Sequence, residues 1–206
     1  MYRIFSTLIS LTAAAVFLLP LMCIYGACIF RSLRHTLWYA VFSFYLAAVL
    51  CLVGFPDITC LTVDFTVNAV PFSGLAADFS NACLNILLFI PLGAFLPLLW
   101  EQFRNLKSTA AAGLCTSAFI ELAQIFTLRT TDVNDLITNT LGTLVGFWAI
   151  RVLTKGFARF APAGGQRRDL YLVCGTVIAV MFLLQPLTGS LLWNMVLESP
   201  LWATLS

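Results

Sequence analysis

Long apolar runs restrict the fold of this chain more than any other feature. Each run has about 20 residues or more, the length of helix that crosses a hydrocarbon core roughly 30 Å thick. Backbone groups in lipid must pair within their own segment, and the runs lack the alternation of a membrane barrel, so helices are predicted. The six predicted spans are residues 5–30, 37–55, 82–100, 108–128, 133–153 and 170–193.

The composition agrees with an all-α, polytopic membrane bundle. Of the 206 residues, 61% are hydrophobic and 10% are charged, so little chain remains for a soluble domain. Nine Lys and Arg residues lie in the connectors after the first, third and fifth spans, whereas residues 56–80 contain none. By the positive-inside rule these connectors are predicted to be cytoplasmic, and both termini are predicted to be external.

The charged residues also exclude some functions. The net charge is only +2, and the basic residues lack the interleaved aromatic side chains of a nucleic-acid groove. We therefore expect the lipid bilayer as a partner and no nucleic acid. The only histidine, His35, lies at the predicted cytoplasmic end of the second span, which excludes a histidine base at an external site.

Cysteine and tryptophan residues give weaker signals. One disulfide among Cys51, Cys60 and Cys83 is compatible with their positions near or in the predicted external segment, and no metal-ligand spacing appears. Tryptophan near the end of a span is typical of a side chain that anchors the helix at the membrane interface. Three residues are predicted to have this role: Trp38, Trp100 and Trp193.

The fifth span carries the most regular polar pattern in the chain. Asp132, Asp135, Asn139, Gly142 and Gly146 are separated by three, four, three and four residues, the spacing of one helical face. The acids and the amide occupy the predicted outer half of the span, and the glycines occupy the inner half. Small residues four apart allow helices to approach closely, so the inner half is predicted to pack tightly.

Two other spans carry polar residues in the same predicted outer half. In the fourth span, Glu121 and Gln124 share a face with Ser117 and Gly113. In the third span, Asn85 precedes Pro91 and Gly93, and the proline leaves the carbonyl group of Leu87 without its helical donor. A carboxylate in the middle of a membrane costs on the order of 3 kcal/mol, so these stripes are expected to face one another.

The converging stripes predict a polar pocket open to the outer face. Arg129, in the turn between the fourth and fifth spans, is the expected partner of Asp132 or Asp135. We expect no resident cofactor, although three carboxylates and neighbouring amides are admissible ligands for a hard divalent cation such as calcium or magnesium. The competing interpretation is a buried ion pair and amide clamp that locks the fourth and fifth spans together.

The order of these motifs resembles the VanZ-like family of bacterial membrane proteins. The motifs are NAVPF (68–72), NILLFIPLG (85–93), ELAQ (121–124) and RTTDVNDLITNTLGTLVG (129–146). The resemblance covers residues 37–150, which leaves an N-terminal membrane anchor at 1–36 and a basic connector with a final membrane helix at 151–206. Carried over by position, it implies binding residues Asn85, Glu121, Gln124, Arg129, Asp132, Asp135 and Asn139, and backbone positions Pro91, Gly93, Gly142 and Gly146.

The resemblance also implies a functional setting, namely a multi-pass protein of the bacterial cell membrane. The founding member of the family is linked to lowered susceptibility to the glycopeptide antibiotic teicoplanin. One hypothesis is that the pocket engages a lipid-linked or cell-wall component. A second is an enzyme in which Glu121 or Asp135 acts as a general base on an external lipid head group. An ion-coupled transporter is less favoured, because the sequence contains no inverted repeat.

Overall fold

The computed structural model describes residues 2–59, 61–63, 67–68, 79–127, 131–157 and 165–197, and within these ranges the chain is an all-α membrane bundle. Two short π-helical turns continue neighbouring helices: Gly26–Phe30 extends α1, and Val180–Leu184 joins α6 to α7. The α-helices are α1 (Tyr2–Tyr25), α2 (Leu33–Val53), α3 (Phe79–Leu99), α4 (Leu106–Gln124), α5 (Val133–Leu153), α6 (Arg167–Ala179) and α7 (Gln185–Leu197).

All six predicted spans are helical, with ends within a few residues of those predicted. In the part of the chain that the structure describes, five helices are long and apolar enough to cross a membrane: Phe5–Phe30, Leu33–Val53, Phe79–Leu99, Val133–Leu153 and Arg167–Val196. Helix α4 is not among them, because Lys107, Glu121 and Gln124 lower the mean hydropathy of its 19 residues.

Most polar side chains of α4 point inward, and most of its large apolar ones point outward. Thr109, Ser117, Glu121 and Gln124 are buried, whereas Leu114, Phe119 and Leu122 are exposed. This is the reverse of the pattern on a helix of a soluble protein. Helix α5 repeats it, with an exposed stripe spaced by four, three and four residues: Leu141, Val145, Trp148 and Val152. Both helices therefore present their apolar faces to lipid.

The chain divides into two compact units. The first unit contains Met1–Leu61 and Tyr171–Ser206, and the second contains Thr62–Leu170. In the first unit, α1 packs against α2 and α7. Ala13, Ala14 and Ala47 are fully buried beside Leu18 and Phe42, so small side chains allow these helices to approach.

In the second unit, α5 packs against both α3 and α4. Before α5, the two-residue strand β2 (Thr131–Asp132) pairs in parallel with β1 (Val67–Asn68). Successive turns of α5 meet successive turns of α3: Gly142 faces the carbonyl group of Ile86, and Gly146 faces that of Ile90. Because both contacts advance by four residues in the same direction, the two helices run parallel.

Glycine makes this contact between α3 and α5 a contact of backbone against backbone. A Cβ atom added to Gly146 would overlap the carbonyl oxygen of Ile90, and one added to Gly93 would overlap that of Thr143. On its other side, Thr143 faces α4, where a Cβ atom on Gly113 would lie 2.6 Å from the Thr143 hydroxyl oxygen. The three helices therefore meet around Thr143. This packing positions the polar residues nearer the start of α5.

The prediction that Trp100 anchors the chain at the membrane interface is wrong. Its side chain is 0% exposed and is the largest fully buried one in the described part of the chain. Helix α3 ends at Leu99, and Trp100 adopts an extended backbone before a 3-10 turn at Glu101–Phe103. This change of direction turns the indole into the second unit, where it makes an edge-on contact with Phe103. A position at the end of an apolar run therefore did not mean a position at the surface.

Candidate functional site

The first turn of α5 brings an acid of the helix cap into contact with an acid of α4. Asp132 has an extended backbone, and its carboxylate accepts a hydrogen bond of 2.8 Å from the backbone N–H of Asn134, which caps the helix. The backbone N–H of Asp132 in turn donates to Oε2 of Glu121 at 3.0 Å. The Glu121 carboxylate thus lies at the N-terminal end of α5, where the helix dipole stabilises negative charge.

Glu121 is a buried carboxyl group in a site that contains two more. It is 5% exposed, and the carboxyl groups of Asp132 and Asp135 are close enough to act on it electrostatically. Neighbouring like charges repel each other more strongly in a protein interior than in water. The arrangement therefore favours a proton, a donor or a positively charged group close to the three carboxyl groups.

A side-chain hydrogen bond joins α3 to α5 in the same region. The amide nitrogen Nδ2 of Asn85 donates to Oδ1 of Asp135 at 2.7 Å, and both residues are half-buried. A hydrogen bond to a carboxylate is stronger than one between neutral groups. The bond also fixes the rotation of α3 relative to α5 above the glycine contacts.

Asn139 lies one turn further along α5 than Asp135, and only part of its hydrogen-bonding capacity is used. Its amide nitrogen Nδ2 donates to the hydroxyl oxygen of Ser117 at 3.0 Å, which joins α5 to α4. Its carbonyl oxygen Oδ1 is buried and has no hydrogen-bond partner among the residues that the structure describes. An unsatisfied buried acceptor costs about 1–3 kcal/mol, so this oxygen suits a donor from a bound molecule.

We call the residues of these three hydrogen-bonded pairs the polar cluster; they are Asn85, Ser117, Glu121, Asp132, Asp135 and Asn139. Of the other residues predicted for the site, Gln124 is buried on α4 one turn after Glu121, and Arg129 lies outside the described residues. Pro91 lies within α3 and is half-buried.

Two residues near the site were absent from the predicted set. Ser117 had been placed on the polar face of α4, but with Gly113 it was interpreted as a small residue that permits close helix approach. Asn134 is 6% exposed, although it lies off the face that carries Asp132 and Asp135. The capping role of Asp132 is the signal that could have found it, because a cap side chain bonds to the backbone two residues later.

Within the described ranges, no group of three His, Cys, Asp or Glu side chains could hold a metal ion. Of the cysteines considered for a disulfide, Cys51 and Cys83 are free thiols and belong to different units, and Cys60 lies outside the described residues.

Comparison with known proteins covers the part of the chain that holds the polar cluster. Protein VanZ of Enterococcus faecium is 30% identical over 81 residues, which are 39% of this chain and 50% of that protein. The chain thus spans half the length of this curated relative. No solved structure matches the chain. The sequence model of the family described as VanZ/LLP1 matches residues 17–154, which include α2 to α5, and the chain therefore belongs to that family.

Proposed function

We propose that the chain is a protein of the bacterial cell membrane whose polar cluster binds the polar part of a lipid-linked or cell-wall component at the outer face. Binding there would lower the access of glycopeptide antibiotics such as teicoplanin to their target. The proposal depends mainly on one observation. Glu121 and Asn139, from two different helices, are buried together in a bundle whose outward faces are apolar.

The exposure of the polar cluster is graded, which supports an entrance at the start of α5. Asn85 and Asp135 are half-buried, whereas Glu121, Ser117 and Asn139 are buried. A polar molecule that approaches from this end meets the half-buried pair first and the buried groups afterwards. By the distribution of Lys and Arg, this end faces the outside of the cell.

A purely structural clamp explains less of the geometry than a binding site. The clamp accounts for the bond from Asn85 to Asp135 and for the bond from the Asp132 backbone to Glu121. It does not account for Asn139, whose carbonyl oxygen is buried without a partner in the described part of the chain. Helix packing itself is already provided by the glycines of α3 and α5. The family link to teicoplanin agrees with a ligand in the cell envelope.

Glu121→Gln is the variant that tests this proposal. The change keeps the size of the side chain and removes its negative charge, which should weaken a charge-assisted contact by about tenfold or more. We expect the inhibitory concentration of teicoplanin to fall to that of a strain lacking the gene. Glu101→Gln is the matched control, because Glu101 is an exposed glutamate of the same unit outside the polar cluster, and it should retain wild-type susceptibility.

Two outcomes of this experiment would contradict the proposal. If the wild-type and deletion strains are equally susceptible, the role in glycopeptide susceptibility is wrong. If Glu121→Gln accumulates normally and behaves like the wild type, the assignment of the site is wrong. Asn139→Leu removes both the carbonyl oxygen that has no partner among the described residues and the donor to Ser117, whereas Ser117→Ala breaks the same bond and keeps that oxygen. A larger rise in susceptibility in Asn139→Leu, at a similar loss of melting temperature in the two variants, indicates binding, and equal rises indicate a clamp.

An enzyme is the second candidate function, and one observation favours it. Asp135 is half-buried and acts electrostatically on Glu121, which is buried. Two carboxyl groups in different environments are the arrangement that acid and base catalysts use. Mass spectrometry of lipid extracts from the wild type and an Asp135→Asn strain distinguishes the two candidates. A lipid that changes mass only in the wild type indicates catalysis, and identical profiles leave binding alone.

A further inference from the structure

A cavity lies at the end of the second unit opposite to the polar cluster. Its volume is about 650 Å³, within the range of small-molecule sites. It opens where α4 begins and α5 has ended, roughly 20 Å along α4 from Glu121 at 1.5 Å per residue. Six described residues line it: Arg104, Asn105, Leu106, Arg151, Gly156 and Phe157.

Both arginines of this cavity are held against aromatic rings. The guanidinium carbon of Arg151 lies 5.1 Å from the ring centre of Trp148, and that of Arg104 lies 5.7 Å from the ring centre of Phe157. Stacking on a ring orients the guanidinium plane and lowers the entropy lost when its N–H groups bind a ligand. The cavity thus contains two planar donors that are already oriented.

The turn that follows α5 keeps one of these rings in place at a cost in backbone energy. Lys155, Gly156 and Phe157 all have positive φ angles, of 49°, 72° and 70°. A left-handed conformation costs of order 1–3 kcal/mol at each residue other than glycine. The turn returns the Phe157 ring to the interior, 5.8 Å from the ring of Phe147 and beneath Arg104. The strained turn therefore builds one wall of the cavity.

The charge of the lining favours an anion. Two of the described lining residues are arginines and none of them is acidic. Glu101 lies 3.7 Å from Arg104, but its side chain is 69% exposed, and a surface pair of this kind contributes little. Two cations that share a cavity repel each other, so an anion between them lowers the energy of both.

We infer that this cavity binds a phosphate group through the guanidinium groups of Arg104 and Arg151. The planar donors of arginine match the oxygen atoms of a phosphate group in pairs. By the positive-inside rule this end of the unit faces the cytoplasm, where the membrane surface carries anionic lipids and the water carries soluble phosphates. A phospholipid head group and a free phosphate therefore share the chemistry of this site.

The experiment uses the full chain in lipid nanodiscs and separates the two sources. In phosphatidylcholine nanodiscs, inorganic phosphate is titrated at constant ionic strength, and the rise in melting temperature reports binding. In a second arm, nanodiscs contain phosphatidylglycerol, and native mass spectrometry counts the anionic lipids that stay bound after release. Arg151→Gln and Arg104→Gln are each expected to weaken the binding about tenfold.

Lys107→Gln is the matched control for these variants. It removes one positive charge at the same end of the same unit, from an exposed side chain that does not line the cavity. We expect it to change binding less than about twofold, the effect of diffuse surface charge. Melting temperatures without phosphate show whether each variant is folded, and the two arginines give two separate variants if one of them fails to fold.

Each outcome decides for or against the inference. A response to inorganic phosphate that depends on the arginines supports the site and assigns it to soluble phosphates. Retention of phosphatidylglycerol that depends on the arginines, with no response to inorganic phosphate, supports the site and assigns it to a lipid head group. An equal loss in Lys107→Gln and Arg151→Gln, or no binding in either arm, overturns the inference.

Discussion

Gly146→Val is expected to lower the melting temperature of the detergent-solubilised chain by about 10 °C. A Cβ atom at this position would overlap the carbonyl oxygen of Ile90, which is a backbone atom and cannot rotate away. Inserting extra atoms into a packed core typically costs about 1–3 kcal/mol, and more where backbone must move. For a chain of this size each kcal/mol corresponds to roughly 2–4 °C. Fluorescence-detected thermal melting measures the change.

Gly175→Val is the control for this prediction. Gly175 also lies in a helix, but beyond the backbone of its own helix and its chain neighbours no atom of the described residues lies within 4 Å of the Cβ that a substitution would add. Valine has a somewhat higher helix propensity than glycine, so this variant should not lose stability, and its melting temperature should change by less than about 2 °C. Equal losses of melting temperature in both variants would show that valine destabilises these helices regardless of position. They would contradict a direct backbone contact between α3 and α5.

Trp100→Ala is expected to have an effect of similar size. The indole is fully buried, and replacing a buried large aromatic side chain with alanine costs about 3–5 kcal/mol because the cavity collapses only in part. The melting temperature should fall by roughly 10 °C. An increase in the rate of cleavage by a protease added to the detergent-solubilised chain gives a second measurement of the same loss.

Trp148→Ala provides the comparison within the same unit. Trp148 is 50% exposed, so its removal deletes about half as much buried area and leaves no closed cavity. We expect less than a third of the loss that Trp100→Ala causes. Equal losses of stability in the two variants would contradict the larger contribution expected of the fully buried Trp100.

The helices were predictable because the length and composition of an apolar run determine whether it can cross a membrane. Residues 133–153 were predicted as a span, and α5 is Val133–Leu153. Helix α4 was also predicted from its apolar run, although its inward face is polar. Trp100 was not predicted correctly. Trp100 itself has an extended backbone after α3, which turns its side chain inward, and the pattern of apolar residues does not predict such a change of direction.

The sequence predicted five of the six residues of the polar cluster as site residues, without Ser117, and it did not predict how they pair. Helical spacing shows which residues share a face of one helix, but it does not give the offset of two packed helices along their axes. The hydrogen bonds from Asn85 to Asp135 and from Asn139 to Ser117 depend on those axial offsets, which the glycine contacts determine. The cavity with Arg104 and Arg151 was not predicted, since it brings together residues about 50 positions apart beside a left-handed turn.

The parallel course of α3 and α5 has a consequence for biogenesis. Two touching helices that point the same way require the intervening chain to travel back, and α4 makes that return. A nascent α4 that entered the bilayer before α5 would expose Glu121 and Gln124 to hydrocarbon, which opposes its insertion. Helix α4 should therefore enter the membrane together with α5 as a hairpin, and a ribosome stalled before α5 should leave α4 outside the bilayer.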